Sequence, residues 1–165
     1  MKKLLMPALI VLIIFQLLMP VIKIIDKYII LKTGIEFKFK VYPVDPYDAF
    51  RGRYISLNAR QDLSSSGKYG IISVDGNGFA NIISITENKP SSGHYVKSVK
   101  REWFTLPIDR YYMDEKSAPK AERLTQQRES GDEAYVTVRV KNGNLVISGL
   151  YIDGIAIEDI IKNEW

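Results

Sequence analysis

The chain opens with nineteen consecutive residues that carry no charged side chain, Leu4 to Ile22, directly after Lys2 and Lys3. As a helix this run would be about 28 Å long, close to the thickness of the hydrocarbon core of a bilayer. A cleaved signal peptide normally has a shorter apolar region, of about 7–15 residues, that ends in small side chains. This run ends instead in Met-Pro-Val-Ile. We therefore predict a retained signal-anchor, that is, a single transmembrane helix.

Two features of the run bear on its orientation and its contacts. Lys2 and Lys3 favour a cytoplasmic N-terminus, although further lysines follow the run on its other side. We therefore predict a single-pass protein of the inner (cell) membrane whose C-terminal part lies outside the cytoplasm, in the periplasm. Gln16 is the strongly polar residue within the run. It is either a tolerated amide or, as the candidate functional role, a hydrogen-bonding contact to another membrane helix.

The helix is expected to continue beyond the lipid. Ile22, Ile25 and Ile29 recur at intervals of three and four residues, which is the spacing of one helix face. Gly34 follows Thr33 and predicts the end of the helix, because glycine readily adopts the left-handed conformation found there. We therefore divide the chain into an anchor with a juxtamembrane helix, residues 1–34, and one domain, residues 35–165.

Composition excludes several classes of function for the domain. The chain holds 23 Lys and Arg and 19 Asp and Glu; three of the lysines lie within residues 1–23, which leaves 20 basic against 19 acidic residues in the remainder. Such a balance does not provide the basic surface that nucleic acid requires. The chain has no cysteine and only one histidine, His94, which excludes disulfides, thiolate metal sites and a cysteine nucleophile. We expect no metal, no cofactor and no nucleic-acid partner.

The domain has the pattern of a series of short strands. Ile35–Val41 alternates apolar and charged residues, which is typical of a strand with one face in water. Asn142-Gly143, between two apolar runs, predicts a tight hairpin. Ala118–Glu129 predicts one short peripheral helix. The further predicted strands are Arg53–Arg60, Tyr69–Asp75, Phe79–Thr86, His94–Arg101, Trp103–Ile108, Tyr135–Val140 and Leu145–Ile152. The predicted fold class is therefore mainly β (α+β), with a single antiparallel barrel-like or sandwich-like domain.

The turn Asp75-Gly76-Asn77-Gly78 superficially resembles the start of a calcium loop. A calcium loop of that type needs an oxygen ligand at its fifth position and an acid at its twelfth. These positions are Phe79 and Thr86. We therefore predict an ordinary hairpin turn here.

The densest cluster of charged and aromatic side chains is a corner between two predicted strands, residues 45–54. One hypothesis is a turn braced by acid–arginine pairs, in which a glycine permits a positive φ or a close backbone approach. The other is a recognition surface, because arginine and tyrosine are favoured in interface hot spots. The candidate residues of this corner are Asp45, Asp48, Arg51, Gly52, Arg53 and Tyr54.

The corner resembles the GDYXXLXY family of bacterial membrane-anchored proteins. The family has a span, a strand, a Val-Asp-Pro turn and then Arg-Gly-Asp-Tyr leading to Leu. Here residues 44–57 read Val-Asp-Pro-Tyr-Asp-Ala-Phe-Arg-Gly-Arg-Tyr-Ile-Ser-Leu. The chain departs from the pattern at Arg53, where the family has Asp, and at Ala59, where it has the last Tyr.

The resemblance continues through residues 108–115 and 146–154, so it covers nearly the whole chain. The block at 108–115 supplies a second set of candidate residues: Asp109, Tyr111, Tyr112 and Glu115. The resemblance implies a single-span protein, often encoded beside or fused to a multi-pass membrane protein, and it carries over no catalytic residue.

These observations lead to one expected function and two alternatives. We expect a non-enzymatic, membrane-anchored accessory module outside the cytoplasm that interacts with a multi-pass membrane protein. The first alternative is a tethered β-barrel that binds a small ligand in an apolar pocket. The second is an anchored hydrolase, in which Ser56 or Ser84 would be activated by a desolvated lysine, Lys97 or Lys100.

Overall fold

A computed structural model describes residues 2–44, 54–59, 65–100, 102–113 and 134–163. In these ranges it has a long N-terminal helix, nine strands and a short C-terminal helix. In chain order the elements are α1 (Lys2–Thr33), β1 (Ile35–Val44), β2 (Tyr54–Ala59), β3 (Tyr69–Val74), β4 (Ala80–Thr86), β5 (His94–Lys97), β6 (Arg110–Tyr112), β7 (Ala134–Lys141), β8 (Asn144–Ile152), β9 (Ile155–Ala156) and α2 (Ile157–Asn163). The prediction of a mainly β chain with an N-terminal helix is confirmed.

α1 is one continuous helix that includes Pro7 and Pro20. Its described side chains are exposed up to Ile29, and Ile30 is the first buried one. The exposed side chains include many large apolar ones, such as Met6 at 69%. Within the described ranges, no helix combines the length and the apolarity that crossing a membrane requires. The predicted helix is therefore confirmed, while its predicted role as a transmembrane segment is not shown.

Six strands form an antiparallel sheet in the order β6-β2-β1-β7-β8-β9. The alternation predicted for the first strand is present in β1. Phe37, Phe39 and Val41 are buried, while Lys38 and Lys40 lie on the opposite face, because successive side chains of a strand point to opposite sides. The face of β1 that carries the two phenylalanines and the valine therefore forms part of the core.

Two tight turns connect the last strands of this sheet. Asn142 and Gly143 join β7 to β8 with φ angles of 52° and 77°, and Asp153 and Gly154 join β8 to β9 with 49° and 81°. Positive φ at both central residues is the property of a type I′ hairpin, which Asn, Asp and Gly tolerate. The predicted Asn142-Gly143 hairpin is confirmed.

The other three strands form an antiparallel sheet in the order β4-β3-β5. In the turn between β3 and β4, the Asp75 carboxylate accepts hydrogen bonds from the N–H groups of Asn77 and Phe79, both at 2.9 Å. These bonds, above all the one from Phe79, lower the pKa of Asp75. The carboxylate thus stabilises the turn itself, and the predicted hairpin is confirmed.

Both sheets contribute to one hydrophobic core. Phe39 of β1, Val96 of β5 and Leu150 of β8 are wholly buried, and α2 adds Ile157 and Ile161. The described sheets are open, with β6 and β9 at the edges of one and β4 and β5 at the edges of the other. Of the predicted barrel-like or sandwich-like arrangement, the barrel is wrong, because edge strands of three and two residues are too short to form the ladder that would close one.

The predicted strand over Trp103–Ile108 is also wrong. The segment does alternate, since Phe104 and Leu106 are buried. However, Pro107 has no N–H to donate to a ladder, and the N–H of Ile108 bonds to the carbonyl oxygen of Leu106 at 2.8 Å. The segment therefore covers the core without belonging to a sheet. The helix predicted at 118–129 lies outside the described residues.

Candidate functional site

β2 and β6 bring the two predicted site segments together. Tyr54, the last residue of the corner, opens β2 and pairs with Tyr112 of β6. The N–H of Leu57 donates to the carbonyl oxygen of Asp109 at 2.9 Å. Tyr54 and the second block are far apart in sequence, yet they meet at one edge of the six-stranded sheet.

The remaining residues of these segments lie outside the described ranges: Asp45, Asp48, Arg51, Gly52, Arg53 and Glu115. The connection itself is as predicted, because the corner joins β1, which ends at Val44, to β2, which pairs with it. The braced corner and the recognition surface both stay predictions.

Among the described candidate residues of the second block, Tyr111 is the one that packs against the core. Its hydroxyl donates a hydrogen bond to the carboxylate of Glu158 in α2. Burial, this hydrogen bond and the charge of Glu158 raise the pKa of Tyr111 well above its usual value. Tyr111 is therefore a neutral hydrogen-bond donor that holds α2 against β6.

Asp109 and Tyr112 are the exposed residues of the same block. The Asp109 side chain is 75% exposed and its carboxylate lies 3.7 Å from Nε of Arg110. Tyr112 is 63% exposed. Exposed tyrosine beside charged groups is the composition of a protein contact surface. Among the described residues of the predicted site, these two are accessible to a partner.

The described residues bear on a metal site and on one of the serine–lysine pairs of the hydrolase alternative. No group of three His, Asp or Glu side chains among them could hold a metal ion. Ser84 lies on β4 and Lys97 on β5, with β3 between them. Two strand spacings separate their backbones by about 10 Å. The structure therefore does not bring Ser84 and Lys97 together as the hydrolase alternative requires.

The last turn of α1 is bonded to β7. The docked end, as we call residues 30–34, begins with Ile30, which is 7% exposed. Lys141 of β7 donates from Nζ to Oγ1 of Thr33 at 2.6 Å. Arg139 donates from Nη1 to the carbonyl oxygen of Gly34 at 3.2 Å and pairs with the Glu36 carboxylate at 2.7 Å. The sequence analysis missed these contacts, because they join residues more than a hundred positions apart.

Gly34 ends α1 as predicted but for another reason. It is not among the glycines with positive φ. A Cβ at this position would lie 2.5 Å from the carbonyl oxygen of Ile30, 3.0 Å from Cβ of Arg139 and 3.1 Å from the backbone N of Val140. The predicted left-handed conformation is wrong, and glycine is required by the close approach of the helix end to β7.

A groove of about 390 Å³ lies where α1 meets the domain. α1 lines it with Lys23, Asp26 and Lys27, and the domain lines it with Lys97 and Leu145 among others. Nζ of Lys27 donates to the carbonyl oxygen of Leu145 at 3.4 Å. The only sequence feature that points to this groove is the group of lysines that follows the uncharged run.

Aromatic rings attach the β3–β4 hairpin to the six-stranded sheet. Tyr135 of β7 stacks on Tyr151 of β8 with centroids 5.1 Å apart, and Phe79 meets Tyr135 edge-on at 5.6 Å. Nζ of Lys40 lies 4.5 Å from the centroid of Phe79, and Nζ of Lys38 lies 5.7 Å from that of Tyr135. These ring and cation contacts stabilise the side of the sheet opposite the core.

A comparison with protein families matches residues 16–150 to the family described as GDYXXLXY protein. The match covers more than half of the chain. The chain belongs to the GDYXXLXY family. The resemblance at the corner is thereby confirmed, and the GDYXXLXY match also includes α1 from Gln16 onward, β2 and β6. It stops before β9 and α2, so Glu158, the partner of Tyr111, lies beyond it. No curated protein and no solved structure was found to match.

Proposed function

We propose that this GDYXXLXY protein is a membrane-anchored, non-enzymatic accessory module, which holds its β domain outside the cytoplasm beside a multi-pass membrane protein. The observation that carries the proposal is the contrast along α1. Its described side chains are exposed from Met6 to Ile29, while the docked end is bonded to the sheet. A long apolar surface that the described domain leaves uncovered requires another apolar environment.

The distribution of apolar side chains around α1 favours lipid as that environment. Ile13, Leu17, Leu18 and Met19 are each at least 45% exposed. Consecutive helix residues point about 100° apart, so these side chains cover all sides of the helix. A soluble partner would cover one face, whereas a bilayer covers the whole circumference. The uncharged run from Leu4 to Ile22 has the matching length.

Two polar features support a membrane-protein partner. Gln16 is exposed on α1 within the uncharged run, and an amide in lipid finds its hydrogen-bond partner on a neighbouring helix. Asp109 and Tyr112 are exposed at the edge of the sheet, where the corner also joins β2. A partner with several membrane helices and an extracytoplasmic loop would contact both regions.

The anchoring and the orientation can be tested with single cysteines, since the chain has none of its own. In Asn77→Cys the thiol lies in an exposed turn of the domain, and in Lys3→Cys it precedes the uncharged run. A membrane-impermeant maleimide should label the first variant in intact cells or spheroplasts and the second only after lysis. The reverse pattern would contradict the orientation, and release of the protein by alkaline carbonate would contradict the anchor.

The partner can be tested by crosslinking in native membranes and affinity capture of the full chain. We expect a multi-pass membrane protein to be recovered, with a lower yield for Gln16→Leu and an unchanged yield for the neighbouring control Leu17→Ile. Recovery of this chain alone contradicts a partner. A further variant replaces the whole uncharged run, Leu4 to Ile22, by leucines. If this variant recovers as much of the partner as the wild type does, the membrane segment does not select the partner.

The same capture distinguishes the two hypotheses for the corner. If Asp45, Asp48 and Arg51 brace the fold, alanine at any of them should lower the melting temperature. If they recognise the partner, the melting temperature should hold while the recovered partner decreases. The control is Ser92→Ala, in an exposed turn of the domain, which should change neither quantity.

A further inference from the structure

We propose that the groove between α1 and the domain binds the phosphate headgroup of an anionic phospholipid. The proposal rests on the proposed membrane anchoring and adds a ligand class to it. Lys23 and Lys27 on α1 and Lys97 at the end of β5 line the groove together with Asp26. These ionisable groups leave an excess of two positive charges. Two elements far apart in sequence thus place three lysines around one concave surface.

The three ammonium groups have hydrogen-bonding capacity for an anion. Among the described residues, none of the three lysines forms an ion pair with a carboxylate. Lys27 donates to the carbonyl oxygen of Leu145 at 3.4 Å, which is beyond the usual range for such a bond. Each ammonium has three N–H donors and no acceptor. A phosphate, with several acceptor oxygens and a negative charge, fits this set of donors.

The position of the groove along α1 decides in favour of a lipid. Lys23 is the first charged residue after the uncharged run, and the groove extends from there to Ile30, about 10 Å along the helix axis. With the run in hydrocarbon, Lys23 stands at the level of the headgroups, where basic side chains meet anionic lipid. A lipid whose phosphate lies in the groove places its acyl chains along the exposed apolar side chains of Val21 and Ile22.

A loop of the domain provides a second, independent contact at the same level. Val99 lines the groove and is 66% exposed, and Trp103, in the same loop, is 53% exposed. Oγ of Ser98 accepts the Thr105 N–H at 2.9 Å and donates to the Lys100 carbonyl oxygen at 2.8 Å, which holds the loop in shape. Tryptophan is enriched at membrane interfaces. An exposed valine in the wall of a basic groove, with an exposed tryptophan in the same loop, is suited to a lipid surface rather than to a free anion in water.

The test uses the full chain reconstituted in phosphatidylcholine nanodiscs with a minor fraction of phosphatidylglycerol. Native mass spectrometry of the released protein counts the lipids that stay bound. We expect the wild type to retain phosphatidylglycerol preferentially. Each lysine near an anionic surface contributes about fivefold to binding, so the triple variant Lys23→Gln, Lys27→Gln, Lys97→Gln should lose at least about tenfold of that preference.

The matched control is the triple variant Lys38→Gln, Lys89→Gln, Lys162→Gln, which removes the same charge from exposed positions that do not line the groove. It should keep the preference of the wild type. Equal loss in both triple variants, or a wild type without preference, overturns the proposal. Displacement of phosphatidylglycerol by inorganic phosphate alone shows a site for free phosphate and also overturns it.

Carbonate extraction of membranes distinguishes this proposal from the proposed function. If the wild type stays in the membrane but shows no preference for phosphatidylglycerol, the lipid site is wrong and the anchor holds. If carbonate releases the wild type, both are wrong. Retention of all three proteins in the membrane, with the preference lost only in the groove variant, supports the lipid site.

Discussion

The two helices of this chain are attached to the same domain in different ways. α2 has seven residues and buries Ile157 and Ile161 in the core. The carboxylate of its Glu158 accepts a hydrogen bond from the hydroxyl of Tyr111. α1 has 32 residues, and within its described side chains Ile30 alone is buried. α2 therefore completes the domain, whereas most of α1 adds nothing to the core and is available to surroundings outside it.

The largest effect is expected where α1 touches the sheet. In Gly34→Val a side chain would meet the carbonyl oxygen of Ile30 and the backbone N of Val140, at 2.5 and 3.1 Å from Cβ. Backbone atoms can move aside only if the helix end or the strand is distorted, so we expect a loss of about 3–4 kcal/mol in the free energy of unfolding. Urea denaturation of the full chain in mild detergent, followed by near-ultraviolet circular dichroism, measures it. Gly76→Val is the control, because nothing lies within 4 Å of a Cβ there; an equal loss would contradict the close approach.

A slightly smaller effect should separate the two helices directly. Ile161→Ala in α2 removes a buried side chain and should cost about 3 kcal/mol in the same urea measurement. Ile25→Ala in α1, at a residue that is 50% exposed, should cost less than about 0.5 kcal/mol. Similar losses for the two variants would show that α1 packs on the domain beyond the docked end.

The Tyr111–Glu158 contact should make α2 sensitive to alkaline pH. Tyr111→Phe leaves the part-buried Glu158 carboxylate without this hydrogen-bond donor, and we expect a loss of about 1–2 kcal/mol near neutral pH. The raised pKa of Tyr111 in the folded state means that the unfolded chain, with its usual value of 10.0, releases the proton first. This contribution to stability is therefore complete below about pH 10 and decreases as the pH rises above it.

A stability profile from pH 8 to pH 12 measures this difference. The profile of Tyr111→Phe should fall less steeply above about pH 10 than that of the wild type. Tyr112→Phe, at a 63% exposed residue of the same strand, is the control and should keep the wild-type slope. Identical slopes for all three proteins would contradict the raised pKa of Tyr111.

The smallest effect is expected for the polar contacts of the docked end. Arg139→Met removes the ion pair with Glu36 and the hydrogen bond to Gly34. Both charged side chains are more than a third exposed, so solvent weakens the pair, and we expect a loss of about 1 kcal/mol. A double-mutant cycle with Glu36→Gln isolates the coupling. Lys162→Met, whose partner in α2 is the exposed Asp159 at 3.7 Å, should change stability by less than about 0.5 kcal/mol.

The strands with a local signal could be predicted from the sequence. β1 alternates apolar and charged residues over most of its length, and the dipeptide Asn142-Gly143 is by itself sufficient to predict the type of its turn. Trp103–Ile108 has the same kind of alternation, and there the prediction of a strand is wrong. Alternation indicates burial of every second side chain, while a strand also needs a hydrogen-bonded neighbour, which is a property of the tertiary structure.

The elements that the sequence analysis missed are the short ones. β6 has three residues and β9 has two, and both form through pairing with strands that already exist. α2 did have a readable signal, because Ile157, Ile160 and Ile161 follow the spacing of one helix face, with acids in the first turn and Lys162 in the last. Seven residues are too few for that spacing to be decisive.

The candidate site divides in the same way. The family resemblance pointed to Tyr111 and Tyr112, but their position beside Tyr54 depends on the pairing of β2 with β6. The basic groove combines Lys97 of the domain with lysines of α1, and no local pattern places them together. Contacts between distant segments depend on tertiary packing. The sequence could therefore indicate candidate residues, but not which of them lie together in the fold.

The absence of a loop between α1 and β1 has a rotational consequence. Only Gly34 separates the helix from the strand, so the docked end sets the angle of α1 about its own axis. Gln16 and Ile30 are fourteen residues apart, nearly four whole turns, and their side chains therefore point within about 40° of each other. Deleting one residue between them would swing the amide by about 100°. The azimuth of Gln16 is thus set by the sheet, from the far end of the helix.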